Sequence, residues 1–496
     1  MKIILMSMPD VASIVIHESA IHMPNCGIAS VGGNIDDGHD VYIIDLVRKR
    51  RKLKKYLAKM MLKIRPDIVG LSSMTWQYET CVKLTKLIKQ LLPDVKIMIG
   101  GYHATLMQEE IAASPEAAYI DFMIHGEGEE ACRRLVNALD GKDRLEDIAS
   151  LSYKSNGRFI HNKRGELLDL SRLKPPIRDK RRLTWGYHVM NSKIEVMETS
   201  RGCTRTCNYC SMKHMYGRSF RTYPIERVLE NLDDIYYNCK THWVFWVDDN
   251  LVLDPARVIE LCDAIIARNY KNLNIVVQAD CISMSRNEAM VSKMAQAGIK
   301  TAFLGIENVS KKNLATAGKG NIVKASRKAV EICHKYDIMV IGGLIFGFPD
   351  DEEQDIIENY QFLKSIEADS AICQIITPYP KTGMRQNLID QGLVTNLEDY
   401  KWYNGLWANV KTKHLDSDQL QYLFWYHRQK VLGWWEPSER AKRGGPVYTG
   451  IWIYAFRPLL KILIGRKLKK YGWEGRYQHE IERQKAVNVF KDLEQY

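Results

Sequence analysis

Three cysteines stand close together near the middle of the chain. They are Cys203, Cys207 and Cys210, and their spacing is C-x₃-C-x₂-C. Three thiolates in one loop can bind three irons of a [4Fe–4S] cluster and leave the fourth iron open. A fully ligated electron-transfer cluster or a structural zinc ion would need a fourth ligand, and no cysteine near this loop supplies one. The spacing therefore predicts a cluster that binds a substrate at one iron.

The residues around this loop predict a barrel that positions it. A strand at 194–199 runs directly into the cysteine loop, and helices then alternate with five more apolar segments. These lie at 242–247, 274–279, 301–305, 338–346 and 371–376. A full (β/α)₈ barrel needs two more units, so the pattern predicts a partial (β/α)₆ barrel over residues 191–395. Functional residues of such a barrel belong at the carboxyl ends of its strands.

The cysteine loop, with Tyr209 before its last cysteine, resembles the signature of the radical S-adenosylmethionine (SAM) superfamily. In that family the open iron binds the amino and carboxylate groups of SAM. An electron from a reductant such as flavodoxin or ferredoxin then cleaves SAM to a 5′-deoxyadenosyl radical. The resemblance implies that SAM contacts residues after the second and fourth strands, namely Asp249, Asn250, Gly305 and Glu307.

Other polar residues at the strand ends have alternative interpretations. Asp248 and Asp249 are adjacent, so one carboxylate can bind SAM while the other caps the following helix. Gln278 and Asp280, after the third strand, are further candidates for binding the ribose or the substrate. For Asp350, after the fifth strand, we favour a helix N-cap over a ligand role.

The first 150 residues predict a doubly wound parallel sheet, because five apolar strands (2–8, 41–46, 68–72, 96–101 and 122–125) alternate with amphipathic helices. Ligands bind such sheets outside the carboxyl ends of the strands. Three loops rich in glycine and hydroxyl groups lie there, and they suit a close backbone approach to a polar ligand. Their candidate binding residues are Ser72, Ser73, Thr75, Trp76, Gly100, Gly101, His103, Gly126, Glu127 and Gly128.

These loops resemble those of the cobalamin-binding domain that is fused to many radical SAM enzymes. A dinucleotide domain is not supported, because no G-x-G-x-x-G follows the first strand. The D-x-H-x-x-G motif, which supplies a histidine to cobalt, is also absent. The nearest string contains His39, but Tyr42 replaces its glycine, and it precedes the second strand. We therefore expect no histidine on cobalt. Trp76 could cover the lower corrin face or pack at a domain interface, and His103 could bind the nucleotide tail or cap a helix.

The two domains together resemble the cobalamin-dependent radical SAM enzymes, in the branch of the anaerobic magnesium-protoporphyrin IX monomethyl ester cyclase and the hopanoid C-methylases. The resemblance covers roughly residues 1–395. It implies C-methylation, through methylcobalamin, of a lipid-like or tetrapyrrole-like small molecule. The alternative is radical oxidation or cyclisation without methyl transfer. A tRNA methylthiotransferase would carry a second cysteine trio in its N-terminal domain, whereas Cys26, Cys81 and Cys132 are far apart.

The remaining segments are a linker and a C-terminal extension. Residues 151–190 predict a hairpin, turning at Asn156-Gly157, and an extended connector. Residues 396–496 predict an α-rich extension. No apolar run reaches the roughly 18 residues of a membrane-spanning helix, and the first residues do not form a signal peptide. We therefore expect a cytoplasmic protein.

The positive charge of the chain is concentrated in the C-terminal extension. Of the net charge of +12, nine basic residues lie between Arg440 and Lys470, where no acidic residue occurs. The rest of the chain is close to neutral, so a general nucleic-acid surface is not supported. Bulky residues recur there at helical spacing, and Pro458 should kink or shorten the helix. The segment 440–470 predicts peripheral membrane contact, with a helix packed on the barrel as the alternative. The bulky residues are Trp452, Phe456, Leu459, Leu460 and Leu463.

Overall fold

The computed structural model describes residues 1–11, 21–183, 186–189, 192–432 and 451–496. Two sheets, each flanked by helices, dominate these residues. The strands are β1 (Lys2–Ser7), β2 (Ile21–His22), β3 (Asp40–Asp45), β4 (Ile68–Ser72), β5 (Lys96–Gly100), β6 (Phe122–Ile124), β7 (Leu151–Ser155), β8 (Arg158–His161), β9 (His188–Val189), β10 (Ser192–Met197), β11 (Ser200–Arg201), β12 (Arg221–Thr222), β13 (Trp243–Trp246), β14 (Asn274–Asp280), β15 (Ile299–Glu307), β16 (Met339–Phe346) and β17 (Ser370–Ile375).

Helices connect most of these strands. They are α1 (Cys26–Gly33), α2 (Leu53–Ile64), α3 (Tyr78–Leu91), α4 (Tyr102–Leu106), α5 (Gln108–Ala113), α6 (Glu129–Leu139), α7 (Met212–Tyr216), α8 (Ile225–Asp233), α9 (Pro255–Arg268), α10 (Cys281–Arg286), α11 (Glu288–Gln296), α12 (Lys311–Thr316), α13 (Val323–Lys335), α14 (Glu353–Ser365), α15 (Gly383–Asp390), α16 (Ser417–Leu432) and α17 (Ile451–Lys485).

The first sheet has the order β3-β1-β4-β5-β6-β7-β8, and its first five strands are parallel. Successive side chains of β1 point to opposite faces. Ile4 and Met6 join one buried cluster with residues of α2 and α3, and Ile3 and Leu5 join another with residues of α1 and α6. Both faces of the sheet are therefore covered, and the predicted doubly wound parallel sheet is confirmed.

The hairpin predicted at Asn156-Gly157 is present, but it belongs to the first sheet rather than to a separate linker. Both turn residues have positive φ, +50° and +78°, as a two-residue hairpin turn requires. Strand β7 pairs antiparallel with β6, and β8 pairs with β7. The hairpin thus covers the β6 edge, whose backbone groups would otherwise lack partners. The first sheet therefore extends to His161, beyond the boundary predicted at residue 150.

The second sheet contains the six predicted parallel strands in the order β17-β16-β15-β14-β13-β10. The partial barrel is confirmed. Two short antiparallel strands, β9 and β2, extend its edge next to β10. Strand β2 comes from the N-terminal part of the chain, so the two sheets are joined by more than one connection. A strand of two residues has no periodic hydrophobic pattern, and for that reason the sequence did not indicate it.

One predicted helix cap in the barrel is wrong. Asp350 does not cap α14, because Glu352 is its N-cap. Asp350 instead forms ion pairs with Lys312 at 2.7 Å and with Lys413 at 2.8 Å. The side chain of the next residue, Asp351, is buried and accepts hydrogen bonds from the backbone N–H groups of Gly347 and Phe348. The turn after β16 is thus held by Asp351, which leaves Asp350 at the surface.

The C-terminal extension is helical and returns to the first domain. Helix α17 breaks at Gly472, where φ is +67° and ψ is −176°, and not at Pro458. Beyond this helix, Phe490 and Leu493 are buried against the first sheet, and the carboxylate of Asp492 accepts a hydrogen bond from Lys54 N at 2.8 Å. Among the described residues, no helix is long and apolar enough to cross a membrane.

The basic and bulky side chains on which the membrane prediction rests are largely outside the described residues. Residues 433–450 are not described, and they include Arg440, Lys442 and Arg443. The side chains of the five bulky residues at the helix start are likewise outside the description: Trp452, Phe456, Leu459, Leu460 and Leu463.

A buried carboxyl group near the end of β1 makes the stability of the first domain depend on pH. Burial raises the pKa of Asp10 to about 7, although Thr80 Oγ1 donates a hydrogen bond to Asp10 Oδ1 at 2.9 Å. The folded protein therefore holds the carboxyl proton of Asp10 more tightly than the unfolded chain does. The unfolding free energy contributed by Asp10 therefore falls as the pH rises from about 4 to about 7.

We expect Asp10→Asn to raise the unfolding free energy above pH 7 by on the order of 2 kcal/mol, because it removes a charge from an apolar site. Urea unfolding of wild type and variant across this pH range measures the effect. The exposed Asp94→Asn serves as the control and should follow the wild-type profile. If Asp10→Asn also kept the wild-type pH dependence, the burial argument would be wrong.

Candidate cofactor sites

The cysteine loop follows the barrel strand β10 and is shaped by a glycine. Gly202 has a φ of +89°, and a Cβ at this position would collide with the carbonyl oxygen of Ser219. Backbone hydrogen bonds then hold the loop against the barrel. Asn208 N donates to Ala317 O at 2.9 Å, and Met384 N donates to Asn208 O at 3.1 Å. These two bonds attach the Asn208 part of the loop to the barrel.

The three cysteines of this loop fit an iron–sulfur cluster better than a single metal ion. All three are free and partly exposed. Within the described parts of the chain, no three His, Cys, Asp or Glu side chains are grouped so that they could hold one ion. A [4Fe–4S] cluster does not need such convergence, because each thiolate binds a different iron. Burial raises the pKa of Cys210 to about 11, so bound iron would be needed to deprotonate this thiol.

The adjacent carboxylates at the end of β13 have different roles. Asp248 is buried and accepts hydrogen bonds from Thr199 N at 2.8 Å and from Thr199 Oγ1 at 2.7 Å. Asp249 accepts one from Gly202 N at 2.8 Å, so it lies directly beside the cysteine loop. Neither caps the next helix, because the N-cap of α9 is Asp254. Burial raises the pKa of Asp249 to about 7, and a nearby cation would favour its charged form.

The next polar residues along the barrel rim form a hydrogen-bonded chain. Asn250 Nδ2 lies 3.8 Å from Cys203 Sγ and donates to Asp280 Oδ2 at 3.1 Å. Asp280 also caps α10 and forms an ion pair with Arg205 at 3.0 Å. Gln278 donates to the carbonyl oxygen of Asp248 at 3.2 Å. Asn250 thus contacts the cysteine loop directly, whereas Gln278 and Asp280 are already engaged by protein partners.

Glu307 ends β15 in a strained conformation, with a φ of +64°. Its carboxylate forms an ion pair with Lys319 Nζ at 2.8 Å. A Cβ on Gly305 would lie 2.6 Å from Glu307 Oε1, so this glycine makes room for the pair. Burial opposes the charge of Lys319, but Glu307 and Cys207 outweigh it and hold the lysine pKa above its usual value. Lys319 places a positive charge near the cysteines, and no sequence motif indicated it.

A cavity of about 280 Å³ separates the glycine-rich loops of the first domain from the cysteine side of the barrel. Its wall from the barrel includes Glu198, Arg201 and Tyr216. Seven of the ten residues predicted to bind cobalamin line it: Ser72, Ser73, Gly100, Gly101, Gly126, Glu127 and Gly128.

Two features of the glycine-rich loops shape this cavity. Gly101 has a φ of +90°, and a Cβ there would come within 2.8 Å of Ser73 O, so a larger residue would narrow the cavity. Ser72 and Ser73 add two hydroxyl-bearing side chains to the cavity wall.

The other three predicted cobalamin residues do not line the cavity. Thr75 is buried. Trp76 lines a separate pocket with Trp402 and Trp407 of the C-terminal extension.

His103 does not cap a helix and does not line the cavity. It lies inside α4, whose N-cap is Gly101. Its ring centroid is 4.1 Å from that of Tyr78 and 5.3 Å from that of Tyr400. Burial lowers the pKa of His103 to about 3, so the imidazole stays neutral.

Sequence reasoning missed Tyr102, which connects the two sites. This side chain belongs to the Gly-Gly loop region and lines the cavity. Its hydroxyl also contacts Met212 Sδ at 3.7 Å, two residues after the last cysteine of the loop. Burial raises the pKa of Tyr102 well above its usual value, and nearby Asp249 and Cys210 add to the effect. A tyrosine that follows two glycines does not form a recognisable motif. Its contact with the barrel becomes visible only when the two domains are packed together in the structure.

Of the described histidines, neither His39 nor His103 is placed to be an axial ligand of bound cobalamin. His39 directly precedes β3, at the amino edge of the sheet, where Asp40 pairs with Lys2. The cavity lies at the opposite edge, and His103 is packed between tyrosines. Electron paramagnetic resonance of the protein-bound cob(II)alamin form should therefore show no nitrogen splitting from an axial imidazole. Splitting that disappeared in His39→Ala or His103→Phe would contradict this prediction.

Comparison with known proteins identifies two domains in the chain. A B12 binding domain matches residues 12–136, and the Radical SAM superfamily matches residues 197–363. The chain is 29% identical to an uncharacterized methyltransferase of Pyrococcus horikoshii, over 87% of this chain and 94% of that protein. It is 23% identical to the anaerobic magnesium-protoporphyrin IX monomethyl ester cyclase of Rubrivivax gelatinosus, over 81% and 72% of the two chains.

Two further similarities complete the comparison. Identity to the hopanoid C-3 methylase of Methylococcus capsulatus is 26%, over 70% of this chain and 64% of that protein. The fold is similar to that of the cobalamin-dependent SAM radical enzyme OxsB, solved with aqua-cobalamin and SAM bound. The TM-score is 0.68 at 17% identity, with 99% of this chain and 77% of that chain covered. The chain therefore belongs to the cobalamin-dependent radical SAM enzymes, whose cofactors are a [4Fe–4S] cluster, SAM and cobalamin.

Proposed function

We propose that this enzyme methylates an unactivated carbon of a hydrophobic small molecule, lipid-like or tetrapyrrole-like. The observation that carries the proposal is the cavity between the two domains, from which Tyr102 reaches Met212 just after the cysteine loop. Its walls come from the glycine-rich loops of the cobalamin domain and from residues beside the cysteine loop. A radical and a methyl donor would thus act in one space between two domains, sheltered from water.

Within this proposal, the protein residues hold and orient the cofactors. Cys203, Cys207 and Cys210 would bind the cluster, and Asp249 would accept the ammonium group of SAM. When bound, these cofactors supply a carbon-centred radical and a transferable methyl group. Asn250, which lies 3.8 Å from Cys203 Sγ, would fix the edge of the cluster loop. Gly305 and Glu307, at the end of β15, would face the nucleoside part of SAM.

The names of the relatives favour methyl transfer over the alternative. A methyltransferase and a hopanoid C-3 methylase are among them, and the cyclase is the relative that fits oxidation or cyclisation instead. The names of these relatives include a hopanoid methylase and a protoporphyrin cyclase, and for this reason we propose a hydrophobic substrate.

Anaerobic reconstitution followed by product analysis tests the proposed reaction. The enzyme is supplied with cobalamin, a reductant such as flavodoxin, and SAM with a deuterated methyl group, together with lipid or tetrapyrrole extracts. Methylation should give S-adenosylhomocysteine, 5′-deoxyadenosine and a deuterated product. Formation of 5′-deoxyadenosine and a modified product without S-adenosylhomocysteine would instead establish oxidation or cyclisation. The Cys203→Ala variant is the control for products that do not depend on the cluster.

We also propose that the enzyme is cytoplasmic and that residues 440–470 contact the membrane surface, where such substrates are found. The nine basic residues of this segment would attract anionic lipids, and each is worth about 1 kcal/mol near the surface. Full-length protein should therefore co-sediment with anionic vesicles at low salt and be released as the salt concentration rises. A variant with five of these residues changed to glutamine should stay in the supernatant. Wild-type protein that stays there at low salt would refute the contact.

A further inference from the structure

Arg201 lies buried between the two cofactor sites and contacts three carboxylates. Its Nη1 is 2.9 Å from Glu127 Oε1, and its Nη2 is 2.6 Å from Glu129 Oε1 and 2.6 Å from Glu198 Oε1. Only 6% of the Arg201 side chain is exposed, and the Glu127 and Glu129 side chains are 4% exposed. We refer to Arg201, Glu127, Glu129 and Glu198 as the arginine cluster.

The arginine cluster joins two different domains. Glu127 and Glu129 lie between β6 and the start of α6, on the loop that lines the cobalamin cavity. Arg201 ends β11 and is separated from Cys203 by Gly202 alone, whose N–H donates to Asp249. Arg201 therefore directly precedes the cysteine loop in sequence, and its guanidinium is bound to the loop of the first domain that lines the cavity.

Further contacts hold each member of the arginine cluster in place. Ser30 Oγ donates to Glu129 Oε1 at 2.7 Å, and Tyr223 OH donates to Glu198 Oε1 at 2.6 Å. Arg221 lies on β12, which pairs with β11, and its Nη2 forms another ion pair with Glu127 Oε1 at 3.0 Å. Burial opposes the charge of Glu129, but Arg201 and Ser30 hold its pKa below the usual value.

A buried ionic network of this kind is costly unless its geometry is kept. Its charges are buried away from water. A carboxylate that moved away from the guanidinium would therefore become a buried charge without a compensating partner, which is strongly unfavourable. The fork of a guanidinium reaches several oxygens at once, which the single ammonium of lysine does not. The four side chains line the cavity. A ligand that fills the cavity must therefore contact, displace or stabilise this network.

We propose that Arg201 is a positioning residue that couples the cobalamin cavity to the cysteine loop. Occupation of the cavity fixes Glu127 and Glu129, these fix the guanidinium, and the guanidinium fixes the start of the cysteine loop. The coupling is reciprocal, since a loop fixed by its cluster must improve cobalamin binding by the same factor. The inference rests on the two cofactors and not on methyl transfer, so it survives if the enzyme turns out to be an oxidase or a cyclase.

The test is the cobalamin dissociation constant before and after anaerobic reconstitution of the iron–sulfur cluster. In the wild type we expect the cluster to tighten cobalamin binding by at least about fivefold, the lower end of typical coupling. In Arg201→Lys the ratio should fall to about one, while the variant still binds each cofactor. Electron paramagnetic resonance of the reduced cluster supplies the reciprocal measurement, because added cobalamin should change the wild-type spectrum and not that of the variant.

Arg181→Lys is the matched control. Arg181 forms a buried pair with Glu195 at 2.6 Å, and both side chains are 4% exposed, but neither lines the cavity. This variant should keep the wild-type coupling ratio. Glu129→Gln, which weakens one bond of the arginine cluster, supplies a second test if Arg201→Lys fails to fold, and it should also lower the ratio. The proposal is overturned if wild type shows no coupling, or if the folded arginine-cluster variants keep the wild-type ratio.

Discussion

Replacing Cys203 with alanine should reduce SAM cleavage to the background rate, while cobalamin binding stays close to that of the wild-type protein without its cluster. Loss of one of three thiolates leaves an iron without its protein ligand, so a stable [4Fe–4S] cluster should not form. The cobalamin loops belong to a different sheet and keep their own hydrogen bonds. Cluster content is measured as iron and sulfide, SAM cleavage as 5′-deoxyadenosine formation, and cobalamin affinity by titration.

Cys239→Ala is the control for this variant. Cys239 is also free and partly exposed, but it lies outside the cysteine loop. It should retain iron, sulfide and SAM cleavage. Formation of 5′-deoxyadenosine by Cys203→Ala at the wild-type rate would show that this cysteine is not a cluster ligand. If Cys203→Ala bound cobalamin much more weakly than the wild type without its cluster, the cysteine side chain itself would support the cavity.

The second large effect is expected from Gly101→Ala in the cobalamin cavity. The new Cβ would lie 2.8 Å from Ser73 O and 3.0 Å from Ser72 Oγ, so the serine loop must move. Overpacking of this kind costs about 1–3 kcal/mol, which corresponds to roughly 5- to 150-fold weaker cobalamin binding. Cluster content and basal SAM cleavage should persist, because the substitution lies in the first domain.

Gly141→Ala is the control for a substitution at a glycine with positive φ. Gly141 also has a positive φ, +77°, but no atom lies within 4 Å of the place that a Cβ would occupy there. Gly141 does not line the cavity, and only Gly101→Ala has the collision. Gly141→Ala should therefore bind cobalamin like the wild type, whereas Gly101→Ala should bind it more weakly. Equal affinities would mean that the Gly-Gly loop does not form the cobalamin site.

The sequence alone predicted the parts of the protein that depend on local patterns. Apolar strands that alternate with amphipathic helices predicted both parallel sheets, because burial on both faces selects continuous apolar runs. The spacing of Cys203, Cys207 and Cys210 indicated a three-thiolate loop, since one short segment contains all its ligands. Serine and glycine residues after β4, β5 and β6 indicated the cavity, because parallel strands bring their carboxyl ends to the same edge.

Tertiary structure alone decided which polar side chains meet. Asp248 and Asp249 are equivalent in sequence, yet one holds the strand end and the other faces the cysteine loop. Trp76 and His103 are on the predicted loops, but packing against the C-terminal extension directs them away from the cavity. Glu127 and Arg201 are separated by 74 positions along the chain and form an ion pair of 2.9 Å. Sequence periodicity indicates whether a residue is buried, whereas an ion pair between domains depends on how the two domains pack together.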